Sequence, residues 1–229
     1  MTTLIEFEPQ DERALLVSYL TLRRVLGLLG FLLPIVLLVE GYVLDGRMQS
    51  SISAYYDLER PRDVLVGTLF TIGFFLLTYR GYEREDDIAG KIAFVFALGV
   101  ALFPYNGPGF VGVVHHVSAA GLFLVLAYYS LFLFTRSVGP KTPEKRKRNR
   151  VYRICGATIV ASLAVIALHS IYARVTGAAA SEWRGLFWLE WAALWAFGVS
   201  WFVKGETLWR DAGLPPGVRA AARRMAAGV

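Results

Sequence analysis

Residues 111–135 read VGVVHHVSAAGLFLVLAYYSLFLFT, a run without a single lysine, arginine, aspartate or glutamate. Wound as a helix at 1.5 Å per residue, it is long enough to cross a hydrocarbon core of roughly 30 Å. Five more apolar blocks lie around it, near 21–43, 63–80, 90–105, 152–173 and 184–204. In lipid a backbone must satisfy its own polar groups, so each block is expected to be helical. The reading is an all-α, polytopic membrane protein with six transmembrane helices. Residues 1–20 form a cytoplasmic N-terminal segment, 21–204 the transmembrane domain and 205–229 a cytoplasmic tail.

The composition agrees with that division. The chain has 229 residues, is 55% hydrophobic and 14% aromatic, and has a mean hydropathy of +0.48. Only 18% of it is charged, where soluble domains run near a quarter, and this excludes an ordinary soluble enzyme. Acidic Glu6, Glu8, Asp11 and Glu12 stand where a secretory signal would carry basic residues, so the first apolar block is expected to remain as an anchor. The lone Cys155 excludes an intramolecular disulfide and any cysteine-based metal motif.

Six spans place both termini on one side. With that side cytoplasmic, 19 basic residues face the cytoplasm and five, Arg47, Arg60, Arg62, Arg174 and Arg184, face outward. The positive-inside rule favours this orientation. The run KTPEKRKRNR at 141–150 is the one dense charge cluster, and it reads as a cytoplasmic loop whose nearest anions are lipid headgroups. The net charge of +6 therefore carries no expectation of nucleic acid. Pro215 and Pro216 break the tail, to which no chemistry is assigned.

Ionisable groups inside spans are costly and mark candidate sites. These are Glu40, Asp63, His115, His116, His169 and Glu190, and they include every histidine of the chain. At helical rise, His115, His116 and His169 lie about 6 Å inside the outer ends of their spans, Glu190 about 9 Å and Glu40 about 5 Å. Polar groups from four helices thus share one depth. The bland alternative is an interfacial belt in which Tyr42, Tyr105, Tyr172, Trp183 and Trp188 sit beside snorkelling polar groups. Against it, Cys155, Thr158, Ser162 and His169 repeat at helical spacing and predict a small-polar stripe turned into the bundle. Adjacent residues on a helix diverge by about 100°, so at most one of His115 and His116 is expected to aim at the centre.

The outer loop DGRMQSSISAYYDLERPR, 45–62, is rich in hydroxyls and is the candidate lid over such a site. Asp63 reads more simply as the N-cap of the second span. Pro34 is expected to kink the first span near Glu40. Trp188, Trp191 and Trp195 share one face of the last span and are expected to pack or to meet lipid.

Three functions compete. A zinc-dependent hydrolase or transferase acting on outer-leaflet lipids would take one of His115 and His116, then His169, and a carboxylate from Glu190, Glu40 or Asp63 as ligands, with a second carboxylate as base. A haem b protein would use the same histidines axially, with Arg174 and Arg184 near the propionates. A transporter would use the carboxylates and histidines as an ion site. No P-loop, Rossmann or nucleophile-elbow pattern is present.

The strings SISAYYDLERPRDVLVGTLFTIGFFLLTYRGYE, IAFVFALGVALFPYN, VHHVSAAGLFLVLAYYSLFLFT and FGVSWFVKGE resemble an uncharacterised family of bacterial six-helix membrane proteins, roughly over Ser50 to Glu206. The resemblance implies a multi-pass protein of the bacterial inner membrane and supplies no catalytic roles. The chain is more distantly similar to alkaline ceramidase and adiponectin-receptor type membrane hydrolases, which implies zinc held by histidines. Those proteins carry two histidines four apart on the last helix, where this chain has Glu190 and none.

Overall fold

The computed structural model describes residues 9–81, 83–137, 141–177 and 183–209, with the backbone alone for 9–17. The N-terminal acidic residues Glu6 and Glu8 and the prolines of the tail lie outside the described residues. Among the described residues, six α-helices follow one another: α1 Pro9–Asp45, α2 Glu59–Thr78, α3 Arg84–Leu102, α4 Phe110–Tyr128, α5 Pro143–Thr176 and α6 Gly185–Lys204. A 3-10 helix, Ser53–Asp57, sits between α1 and α2, and a π turn, Tyr129–Leu133, prolongs α4. Five segments are long and apolar enough to cross a membrane: Ser18–Asp45, Glu59–Thr78, Phe110–Leu133, Pro143–Thr176 and Gly185–Lys204. The remaining helix, α3, carries Arg84, Glu85, Asp86, Asp87 and Lys91 in its first eight residues.

Each helix packs on the next in the chain, and α6 returns to pack on α1, so the six close into a ring. Successive helices run in opposite directions. The start of α1 meets the ends of α2 and α6, since Tyr19 donates to the carbonyl of Arg80 and Arg23 to that of Lys204. The starts of α3 and α5 and the end of α4 reach the same end of the ring, which is called here the Trp201 end. Small residues set the closest seams. A Cβ on Gly27 would lie 2.8 Å from the Gly198 carbonyl oxygen and from the Phe202 amide nitrogen, so α1 and α6 approach backbone to backbone.

Several helix boundaries differ from the sequence reading because capping decides them. Helix α2 begins at Glu59 after Leu58, and Pro61 falls in its first turn, where its missing N–H bonds nothing in any case. Asp63 is therefore not the N-cap; it is exposed and lies 3.8 Å from Arg62. Helix α3 opens with a reciprocal capping box between Glu83 and Asp86, which lets a charged first turn begin a buried helix. Helix α5 starts at Pro143, with the Thr142 hydroxyl accepting from the Lys145 amide at 3.0 Å, and it stops at Gly177, whose φ is +71°. The basic run expected as a loop is thus mostly the opening of α5. Arg148 and Asn149 turn inward and are buried, while Arg146, Lys147 and Arg150 stay exposed. Helix α1 runs unbroken through a buried Pro34.

The core is densest at the Trp201 end. Trp201 is fully buried, with the Tyr79 and Phe134 rings each 5.0 Å from its own, Tyr129 at 5.6 Å and Phe197 at 6.2 Å. The Arg23 guanidinium lies 4.1 Å from the centre of the Tyr19 ring and donates to the Tyr19 and Tyr79 hydroxyls at 2.8 and 3.0 Å. Lys204 sits over Phe134 at 5.0 Å. The buried Tyr129 hydroxyl donates to the Asp86 carbonyl at 2.6 Å. Arg148 donates to the Trp209 carbonyl at 2.5 Å and Asn149 to that of Thr135 at 3.1 Å. Aromatic faces and backbone carbonyls thus surround the cations.

Candidate functional site

At the opposite end, the loop between α1 and α2 folds into the mouth of the ring. Ser51, Ile52, Ala54 and Tyr55 are buried although they belong to a connection. The loop is held by the unpaired amides that begin helices. The Phe187 amide of α6 donates to the Ser50 carbonyl at 3.1 Å. In return the Glu190 carboxylate, one turn further along α6, accepts from the Ile52 amide at 2.5 Å and from that of Ser53 at 3.4 Å. The Ser51 hydroxyl accepts from the Ala54 amide at 2.9 Å, closing the 3-10 turn. Burial pushes the Tyr55 phenol up, so it stays neutral beneath this turn.

Under the loop lies a cavity of about 50 Å³. At about one water for each 10–15 Å³ measured this way, it has room for about four water-sized groups. Leu33 of α1, Leu65, Leu69 and Ile72 of α2, Val100 of α3, Leu122 and Leu126 of α4, and Leu194 and Phe197 of α6 line it. Its ceiling is Ile52, Ser53 and Glu190. Five helices thus surround an apolar space with one carboxylate at its rim, and α5 stands outside the lining.

The other sequence candidates stand around this mouth without converging. His115 of α4 is buried, and its Nδ1 bonds the Phe103 carbonyl at 2.7 Å. That bond puts the proton on Nδ1 and leaves Nε2 with a bare lone pair, the tautomer in which histidines ligate metals. Its ring is walled by Tyr56, Tyr105 and His116, with centroids 5.6–6.2 Å away. His116 is exposed and bonds the carbonyl of Gly112 at 2.6 Å, so His115 is the member of the pair that faces the bundle. His169 of α5 stacks on Trp183, with centroids 4.0 Å apart, and its Nε2 is buried without a hydrogen-bond partner among the described residues. Glu40 of α1 is half-buried, with Oε2 likewise lacking one.

Among the described residues, no three His, Cys, Asp or Glu side chains are grouped to hold a metal ion. The expected zinc set of His115 or His116, His169 and a carboxylate is not assembled. Its histidines are walled by different aromatic neighbours, Glu190 is committed to the loop amides, and Asp63 is on the surface. The donor set does not fit a three-ligand centre. The histidines of the axial haem alternative have different surroundings too, His115 lying against Tyr56 and Tyr105 and His169 against Trp183. On α5 the predicted stripe holds for Cys155 and Ser162, which are buried; Val165, Leu168, Ile171 and Tyr172 along its far half are exposed. Trp195 stacks on Phe31 at 4.6 Å and donates to its carbonyl at 3.0 Å, while Trp188 is exposed, as the packing-or-lipid reading expected.

Sequence reasoning placed Ser51 and Ser53 in a candidate lid and Tyr105 in an aromatic belt, and assigned none of the three a contact at the mouth. Tyr105 stands against the His115 and His116 rings, with centroids 5.9 and 5.4 Å away. The available signal was the cluster of serines before the paired tyrosines in a loop flanked by spans. It also missed the buried charges at the Trp201 end, where Arg23 and Lys204 look like flanking positive-inside residues. Among protein-family models, curated proteins and solved structures, none matches this chain.

Proposed function

We propose that this is a six-span membrane protein, with both termini cytoplasmic, that binds a small amphiphile at its outer face as a binding or transport protein. Five apolar segments and a sixth helix closing the ring support the span count, and the 19 to five division of basic residues supports the orientation. The observation that carries the functional reading is the position of Glu190. It is the one ionisable side chain lining an otherwise apolar cavity, and it is also the acceptor that latches the covering loop. A ligand headgroup that engages the carboxylate competes with the Ile52 and Ser53 amides, so occupancy and loop opening are linked. A ligand shifts an equilibrium only by its preference between the two states, and this competition supplies such a preference.

Saturation-transfer NMR of n-hexanol against the protein in nanodiscs tests the reading. Transfer is expected to the wild-type protein and to vanish in Leu122→Trp, which fills the cavity. Equal transfer to both proteins would overturn it.

A further inference from the structure

Resting on that reading of the Glu190 cavity, we infer that its occupant is a cationic amphiphile: an alkylammonium whose positive head meets Glu190 and whose first few carbons fill the space beneath. Charge complementarity at this end of the ring points to it. The cavity lining includes one carboxylate and no lysine, arginine or histidine. All five basic residues assigned to this end, Arg47, Arg60, Arg62, Arg174 and Arg184, are exposed. Arg47 is bonded to Asp45 at 2.8 Å, and Arg62 lies beside Asp63. His115 is turned onto the Phe103 carbonyl and walled off by Tyr56 and Tyr105.

The Ile52 and Ser53 backbone amides donate to Glu190 and supply hydrogen bonds without a full opposite charge. An anionic head would face the carboxylate uncompensated, and two like charges in low dielectric repel strongly. A neutral alcohol would exchange one hydrogen bond for another. An ammonium donates up to three hydrogen bonds and forms a charge-assisted pair, the stronger class of contact. Room for about four water-sized groups sets the chain length: affinity should rise by about fourfold per methylene up to about four carbons. Beyond that length the gain should flatten, because added carbons find no empty space.

The experiment compares the n-alkylammonium series from propyl to octyl with hexanol and hexanoate, all binding to the full chain in nanodiscs of zwitterionic lipid. Hexylammonium should bind about tenfold more tightly than hexanol, and hexanoate more weakly than either. Glu190→Gln should bring hexylammonium to the level of hexanol, with Leu122→Trp removing both. Hexanol binding that Leu122→Trp abolishes, with no preference for the ammonium in the wild-type protein, would overturn the cationic class and leave the amphiphile reading standing. Binding of none of the three would overturn both. The headgroup comparison on the wild-type chain decides the matter even where a Glu190 variant fails to fold.

Discussion

At the Trp201 end, Arg23, Asp86, Arg148 and Lys204 are buried: Arg23 and Lys204 lie against aromatic rings, Arg23 and Arg148 donate to backbone carbonyls, and Asp86 accepts from the Glu83 amide. At the Glu190 end a single half-buried carboxylate holds down a loop, and an empty apolar space lies beneath it. Both ends place charge inside a bundle that reads as membrane-embedded. The first sets Arg23 and Lys204 against buried aromatic rings, as a structural core requires. The second leaves volume unfilled next to a charge whose partners are two loop amides, which the bundle can release without unfolding a helix. Under the proposed function, the contrast separates a part of the molecule built to stay from a part built to exchange its contacts.

Substitutions at the two ends should therefore differ in kind. The largest loss of stability is expected for Trp201→Ala, which empties the centre of the aromatic cluster and should cost about 3–5 kcal/mol. Thermal denaturation in detergent should show it, while hexanol binding at the far cavity persists in the folded fraction. Loss of binding at temperatures where the variant is folded would break the separation of the two ends. Next comes Gly27→Val, whose Cβ would meet the backbone of α6 at 2.8 Å. Prising α1 from α6 should cost about 1–3 kcal/mol, and a melting temperature equal to the wild type would show that this seam is slack.

Glu190→Gln should act more gently on stability, by about 1–2 kcal/mol, because it weakens hydrogen bonds to two amides without leaving a void. Its clearer signature is in the loop. In a Ser53→Cys background, a membrane-impermeant maleimide should label the loop faster once Glu190 is glutamine; Cys155 is buried and should stay silent. Unchanged labelling would show that the latch does not hold the loop. The smallest effect is expected from Arg136→Ala. Arg136 reaches Glu83 at 2.5 Å and also contacts Glu85, whose hydrogen bond pushes the guanidinium pKa up further. The network is largely exposed, so its removal should cost under about 1 kcal/mol and less at high salt. A salt-independent loss above that would make this surface network part of the structural end.

Much of this was legible in the chain. The blocks at 21–43, 63–80, 111–135, 152–173 and 184–204 became long apolar helices because their hydropathy leaves the backbone no other way to satisfy its polar groups in lipid. The inward face of Cys155 and Ser162 followed from helical spacing alone. Helix starts were less legible, since Leu58 before α2 and Thr142 before α5 act through local geometry at two or three residues.

Sequence by itself thus determined the helices and their order, because these depend on hydropathy and on a fixed rise and turn per residue. The tertiary structure alone decided that the six close into a ring, that Arg23 and Lys204 turn inward, and that the histidines face different neighbours. It also decided that Glu190 binds the backbone of a loop 138 residues away in the chain. Such contacts depend on the rotation of each helix about its axis, which is fixed only when neighbouring side chains pack against one another.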